Sequence, residues 1–196
     1  MEESFEELIS SYIETKVGIA EHFLSDSLSG FLKENVLDLQ KQKLMQLAGT
    51  GNTGNVVHNT KVRSDSIYWL DRNHNNKYEN DFLDQMDAFV SFLNTNCYTG
   101  IKDYEIHYTI YEKGSFYKKH IDQFQNNQNR AYSIISYLNE AWTDQDGGHL
   151  LIHLDDQEQK ISPTSGKTVF FKSNEIEHEV MVTNTARLSI TGWLKT

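Results

Sequence analysis

Hydrophobic positions along this chain change period near its middle. In the first half they recur at helical spacing. Phe5, Leu8, Ile9 and Tyr12 predict a short amphipathic helix from Glu3 to about Thr15. Residues 17–24 read as a strand, after which Ser25 is a good N-cap for a helix predicted from Asp26 to about Ala48. That helix would bury Leu28, Phe31, Leu32, Val36, Leu39 and Leu47. A Gly/Asn/Thr-rich run from Gly49 to Asn55 ends it and opens a polar loop to about Ser64, of a length that fits a lid over a site, a disordered segment or a tolerated surface insertion. A short strand, 66–70, and a further amphipathic helix from about Asn80 to Cys97 follow. From Tyr104 onward the period becomes two, with short strands predicted at 104–112, 116–122, 131–138, 149–154, 167–172, 178–182 and 186–194. Helices followed by a run of seven or eight short strands predict a mainly β (α+β) fold: a double-stranded β-helix, or jelly roll, with buttressing N-terminal helices. The length suits one domain over 1–196, its support in 1–100 and its jelly-roll core in 101–196.

Charge narrows the partners. At a net charge of -10 the chain shows no basic face of the kind an unassisted duplex binder carries, so no nucleic acid is expected. Lys118-Lys119 is the densest basic spot. No apolar run is long enough for a membrane span. The N-terminal stretch is acidic where a secretory signal would be basic and then apolar, and the lone Cys97 is compatible with a reducing compartment. A cytoplasmic location follows as an expectation, whereas none of these features fixes the oligomeric state.

The candidate chemistry centres on Gly114-Ser-Phe-Tyr-Lys-Lys-His120-Ile-Asp122. On a strand, His120 and Asp122 project from one face. A third ligand from a distant strand would close one face of an octahedral metal, and a two-His, one-carboxylate triad leaves the opposite positions open, as non-haem Fe(II) oxygenases require. His-x-Asp alone also fits a solvated loop histidine beside a charge, so its surroundings decide.

Those surroundings resemble the Fe(II)/2-oxoglutarate-dependent dioxygenases, and within them the oxygen-sensing prolyl hydroxylases and their bacterial relatives. The likeness is carried by 62–70 (Val-Arg-Ser-Asp-Ser-Ile-Tyr-Trp-Leu), by 111–122, and by 130–139 (Arg-Ala-Tyr-Ser-Ile-Ile-Ser-Tyr-Leu-Asn). Trp142, Gly147-Gly-His-Leu150, 161–171, His178-Glu-Val180 and Arg187-Leu-Ser-Ile-Thr-Gly-Trp193 continue it in unbroken order. The resemblance implies His120, Asp122 and His178 as iron ligands and catalytic centre. It implies Arg187, nine residues after His178, as the counter-charge to the far carboxylate of 2-oxoglutarate. Tyr137 would bond the same carboxylate and Tyr111 would reach toward the keto-acid head. Ile135, Leu150, Val180 and Thr191 would complete the co-substrate pocket, and Trp193 its wall. Two-residue periodicity then turns His107 and Thr109 inward with Tyr111, and Ser133 and Ile135 with Tyr137. His107 departs from the family, which more often has an apolar residue there, and is a substrate contact, a ring that supports the residues touching the ligands, or a space-filling one. Asp65 and Arg130 match a pair that ties the lid strand to the barrel.

The implied reaction consumes Fe(II)-bound 2-oxoglutarate and O₂, gives succinate and CO₂, and hydroxylates a C–H bond; ascorbate support is an expectation of the class. The implied partner is a protein with a target proline, with elongation factor Tu or another translation component the sharpest candidate. Hydroxylation of a free amino acid or other small molecule is the runner-up. A non-catalytic jelly roll that only binds metal or a keto acid is the reading of a different class.

Overall fold

The computed structural model describes residues 2–49, 59–123, 129–155 and 157–196. Three helices, α1 (Glu2–Thr15), α2 (Asp26–Lys41) and α3 (Lys77–Asn96), are threaded among the first strands, β1 (Val17–Ala20), β2 (Gln46–Leu47) and β3 (Ser66–Trp69). The remaining strands are β4 (Asp103–Tyr111), β5 (Tyr117–His120), β6 (Arg130–Tyr137), β7 (Leu150–Leu154), β8 (Gln157–Ile161), β9 (Thr168–Lys172), β10 (Glu177–Val180) and β11 (Arg187–Lys195). They form a seven-stranded sheet in the order β1-β9-β6-β11-β4-β3-β2 and a four-stranded sheet in the order β5-β10-β7-β8. Neighbouring strands are antiparallel in both. The jelly roll is therefore two open sheets packed together, not a closed barrel.

Alternation along the strands sorts side chains between two cores. On β4, Ile106, Tyr108 and Ile110 join a cluster with Leu8 of α1, Leu32 and Val36 of α2, and Met86 and Phe89 of α3. The intervening residues face the other sheet. Tyr111, Ile135, Tyr137 and Phe171 of the large sheet pack with Leu150, Ile152 and Val180 of the small one. Since the period is two, one face of the large sheet is committed to the helices and the other to the space between the sheets. The site lies in that second space.

Several predicted boundaries move. The strand expected over 17–24 stops at Ala20, because Phe23 and Leu24 turn into the helix-side core. Ser25 does cap α2, accepting from the Leu28 amide, but the helix ends at Lys41, not near Ala48. Lys43 adopts φ 59°, which breaks the helical path, and Gln46–Leu47 pair with β3 instead. α3 starts earlier than expected, at Lys77, with Asn76 capping the Tyr78 and Glu79 amides. β8 was not foreseen. The strand expected over 116–122 is only Tyr117–His120, so Asp122 lies just beyond it. Of the predicted lid, 50–58 lie outside the described residues; Val62 and Ser64 beside it bond the backbones of Lys118 and Phe116.

Candidate active site

Three side chains converge between the sheets. His120 ends β5, Asp122 follows it, and His178 sits on β10 directly opposite His120 in the antiparallel register. One ligand atom from each lies within 4.8 Å of the others. Among the described residues this is the one such cluster of His, Cys, Asp and Glu. Alternation survives the end of β5, since Ile121 is exposed and Asp122 is buried.

Hydrogen bonds decide which atoms face inward. His120 Nδ1 lies 2.7 Å from the Lys118 carbonyl and His178 Nδ1 lies 3.1 Å from the Ile176 carbonyl. A carbonyl only accepts, so both Nδ1 atoms carry hydrogen, which leaves each Nε2 as the atom that faces a metal. Those Nε2 atoms are 3.4 and 3.6 Å from the Asp122 oxygens. Ser133 donates to Asp122 Oδ2 at 2.7 Å and is itself within 2.9 Å of Ser173. Burial opposes charge on Asp122, but the neighbouring His178 and His120 and the Ser133 hydroxyl outweigh it and hold the carboxyl well below its usual range. Burial pushes His178 down to about 4, so its ring is neutral near pH 7. Two imidazoles, which bind a metal in their neutral form, and one carboxylate can hold a divalent cation with positive charge left over for an anionic partner.

The complement to such an anion lies on β11 in the same cavity. Arg187 is 1 % exposed, its Nε donates to the Gly148 carbonyl at 2.8 Å, and its Nη2 has no hydrogen-bond partner among the described residues. Among the described residues no carboxylate pairs with it. Its guanidinium lies 5.0 Å from the ring centre of Tyr111 and 5.1 Å from that of Tyr137. The Tyr137 hydroxyl is buried beside Arg187 with no well-formed hydrogen bond among the described residues, and burial, opposed by the nearby guanidinium, pushes it up to about 12. A buried cation and a buried hydroxyl left unsatisfied side by side are costly unless a ligand completes them. A carboxylate fits both. Gly148 makes room for the arrangement: it sits at φ 59°, and a Cβ there would lie 3.1 Å from Arg187 Cδ and 2.9 Å from Thr183 Oγ1.

Most residues singled out from the sequence line this one cavity: the triad, Arg187, Tyr111, Ile135, Leu150, Val180, Thr191, His107 and Trp193. Thr109 lines it too, as the alternation predicts, and Tyr137 is packed behind. The Asp65–Arg130 pairing is corrected. Asp65 is bonded at both oxygens by Arg63, Nε at 2.8 Å and Nη2 at 2.6 Å. Arg130 instead bonds Glu105 at 2.6 Å, lies 3.4 Å over the Trp193 ring and reaches the Asp122 carbonyl at 3.3 Å. Arg63 wins Asp65 because residues two apart on an extended chain share a side. Arg63 itself was missed as a lining residue. Its guanidinium lies 4.3 Å from the ring centre of Tyr117, another unforeseen wall residue, which stacks on His120 at 3.5 Å.

Residues 106–195 match the sequence model of the 2OG-Fe(II) oxygenase superfamily. The chain is similar to a Pseudomonas putida prolyl-4-hydroxylase, with 29% identity, a TM-score of 0.87, and coverage of 97% of this chain and 98% of that one. It is also similar to a Trichoplax adhaerens prolyl hydroxylase solved with a hypoxia inducible factor peptide fragment. Identity there is 25% and the TM-score 0.86, over 99% of this chain and 90% of that one. The viral collagen prolyl hydroxylase of Paramecium bursaria Chlorella virus-1, a 2OG complex, shares the fold at 16% identity, with a TM-score of 0.62 over 93% of this chain and 97% of that one.

Proposed function

We propose that this chain, a 2OG-Fe(II) oxygenase that resembles the prolyl hydroxylases, hydroxylates a prolyl residue in a protein, with elongation factor Tu or another translation component as the specific candidate. The observation that carries the reading is the buried Arg187, which no carboxylate pairs among the described residues, in one cavity with the triad and with the Tyr137 hydroxyl packed behind it. A metal-only binding module has no use for that second, anion-shaped half. In this reading His120, Asp122 and His178 hold Fe(II), and Arg187 and Tyr137 hold the far carboxylate of 2-oxoglutarate. Tyr111, whose hydroxyl is pushed well above its usual range by burial, stays a neutral donor toward the keto-acid head. Fe(II) with 2-oxoglutarate and O₂ supplies the oxidising power for the C–H bond when bound. The protein supplies fixed donors, excludes water with Leu150, Val180, Ile135 and Trp193, and orients the substrate.

A peptide-sized substrate is supported by likeness to prolyl hydroxylases over almost the whole chain, one of them solved with a peptide fragment. The candidate translation component rests on the resemblance to bacterial relatives. Cell lysate incubated with enzyme, Fe(II) and 2-oxoglutarate, then digested with trypsin, tests the reading. A peptide gaining one oxygen on proline, dependent on 2-oxoglutarate and absent with Asp122→Ala, is expected. Turnover of free proline or another amino acid with no modified peptide would overturn it in favour of a small-molecule hydroxylase.

A further inference from the structure

His107 is a buried imidazole for which the reading above has no task. It is 2 % exposed, lines the cavity, and lies 4.9 Å from the ring centre of Trp69 and 5.4 Å from that of Trp193. Its Nδ1 faces two oxygens, the Tyr108 carbonyl at 3.1 Å and the Thr109 hydroxyl at 3.0 Å. The carbonyl can only accept, so Nδ1 carries the hydrogen. Burial, with the positive Arg63 adding to it, pushes the imidazole down to about 4, and the ring is neutral near pH 7.

That tautomer sets a direction. With Nδ1 as donor, its one hydrogen is shared between the Tyr108 carbonyl and the Thr109 oxygen, and the Thr109 hydrogen is available to Thr191 Oγ1, 3.4 Å away on the neighbouring β11. The other tautomer would set a lone pair against the Tyr108 carbonyl and draw the Thr109 hydrogen back to the ring. Thr191 Oγ1 therefore accepts, and its own hydrogen has only Ser189 Oγ, at 3.5 Å, or the cavity to turn to. From Arg187 to Leu194, Thr191 alone keeps partial exposure, and it opens on the cavity.

We propose that His107 is a positioning residue which, through Thr109, fixes the direction in which Thr191 offers its hydroxyl hydrogen to an oxygen of bound 2-oxoglutarate. This rests on the co-substrate assignment and not on the prolyl substrate. The first test is anaerobic titration of the Fe(II)-loaded protein with 2-oxoglutarate. His107→Met and Thr109→Val each weaken binding about 3- to 10-fold, the share of one hydrogen bond. Added to Thr191→Val, neither substitution weakens binding further. His107→Asn, whose amide can donate from the Nδ1 position, keeps most of the affinity. The second test is ¹⁵N NMR of histidine-labelled protein, where His107 shows a protonated Nδ1 and a bare Nε2 at pH 7. Unchanged affinity in His107→Met, losses that add in the double variants, or an Nε2–H ring would each overturn the proposal. Failure of the wild type to bind 2-oxoglutarate would overturn the co-substrate assignment and this proposal with it.

Discussion

The two imidazoles of the candidate metal site are held by the nitrogens that would not touch a metal, each through the carbonyl two residues before it, Lys118 for His120 and Ile176 for His178. Asp122 is held by Ser133, whose hydroxyl also contacts Ser173. Outer partners of this kind typically matter 10- to 100-fold in metal affinity. Ser133→Ala is accordingly expected to weaken Fe(II) binding by about 10-fold or more, measured by anaerobic titration, while 2-oxoglutarate affinity at saturating metal stays as in wild type. Unchanged Fe(II) affinity would show that Ser133 does not orient Asp122. His120 and Asp122 were legible in the sequence through their His-x-Asp spacing, and His178 and Arg187 through the resemblance of the ordered motifs, with Arg187 also standing out on a strand where Leu188 and Ile190 take the alternate positions. Arg63 was not legible, since it stands in a polar stretch where an arginine looks solvated. The one available signal was Asp65 two residues on, an opposite charge on the same side of an extended chain.

Arg63 and Asp65 act on elements more than on atoms. Residue 63 bridges Tyr117 of β5, and the Asp65 carbonyl accepts from Ala48, so the pair fastens the start of β3 to both sheets. Asp65 is fully buried, and Arg63→Ala would leave its carboxylate without a counter-charge. A loss of about 3–5 kcal/mol is expected by urea unfolding. Arg63→Met with Asp65→Leu should recover most of that loss, because an apolar pair of similar volume avoids the desolvation cost. Equal losses in the single and double variants would contradict the argument. Element type was readable wherever one face is apolar, as in β4, β6, β9 and β11. β8 was not, because Gln157-Glu-Gln-Lys-Ile161 is an edge strand with a mostly solvated surface and no apolar period. The end of α2 was hidden for the opposite reason: Leu44 and Leu47 continue the helical spacing while the backbone turns at Lys43. The start of α3 was masked by Glu79, a polar residue that is buried because Asn35 and His74 bond it.

In the whole molecule, helices cover one face of the large sheet and the small sheet covers the other, and His107 and His178 are buried in the space between the sheets. His107 is held near 4, below its ordinary 6.5, so the unfolded chain takes up that proton first as pH falls. Stability should therefore be full above about pH 6.5 and decline toward pH 4, with His107 contributing on the order of 3 kcal/mol to the fall. In metal-free protein, His107→Met is expected to flatten the decline seen by chemical denaturation at a series of pH values. Parallel curves for variant and wild type would mean the ring is not kept neutral. What unites the two sheets is the cavity, with three candidate metal ligands at one side and an unpaired arginine at the other. The most direct measurement is anaerobic titration of the protein with Fe(II) and 2-oxoglutarate, watched for the visible metal-to-ligand charge-transfer band. Wild type should develop the band, Asp122→Ala should lose it, and Arg187→Ala should require about 10- to 100-fold more 2-oxoglutarate to reach it. A folded wild type that binds Fe(II) and shows no band at any 2-oxoglutarate concentration would contradict the chelate assignment and leave the cavity a metal-binding module.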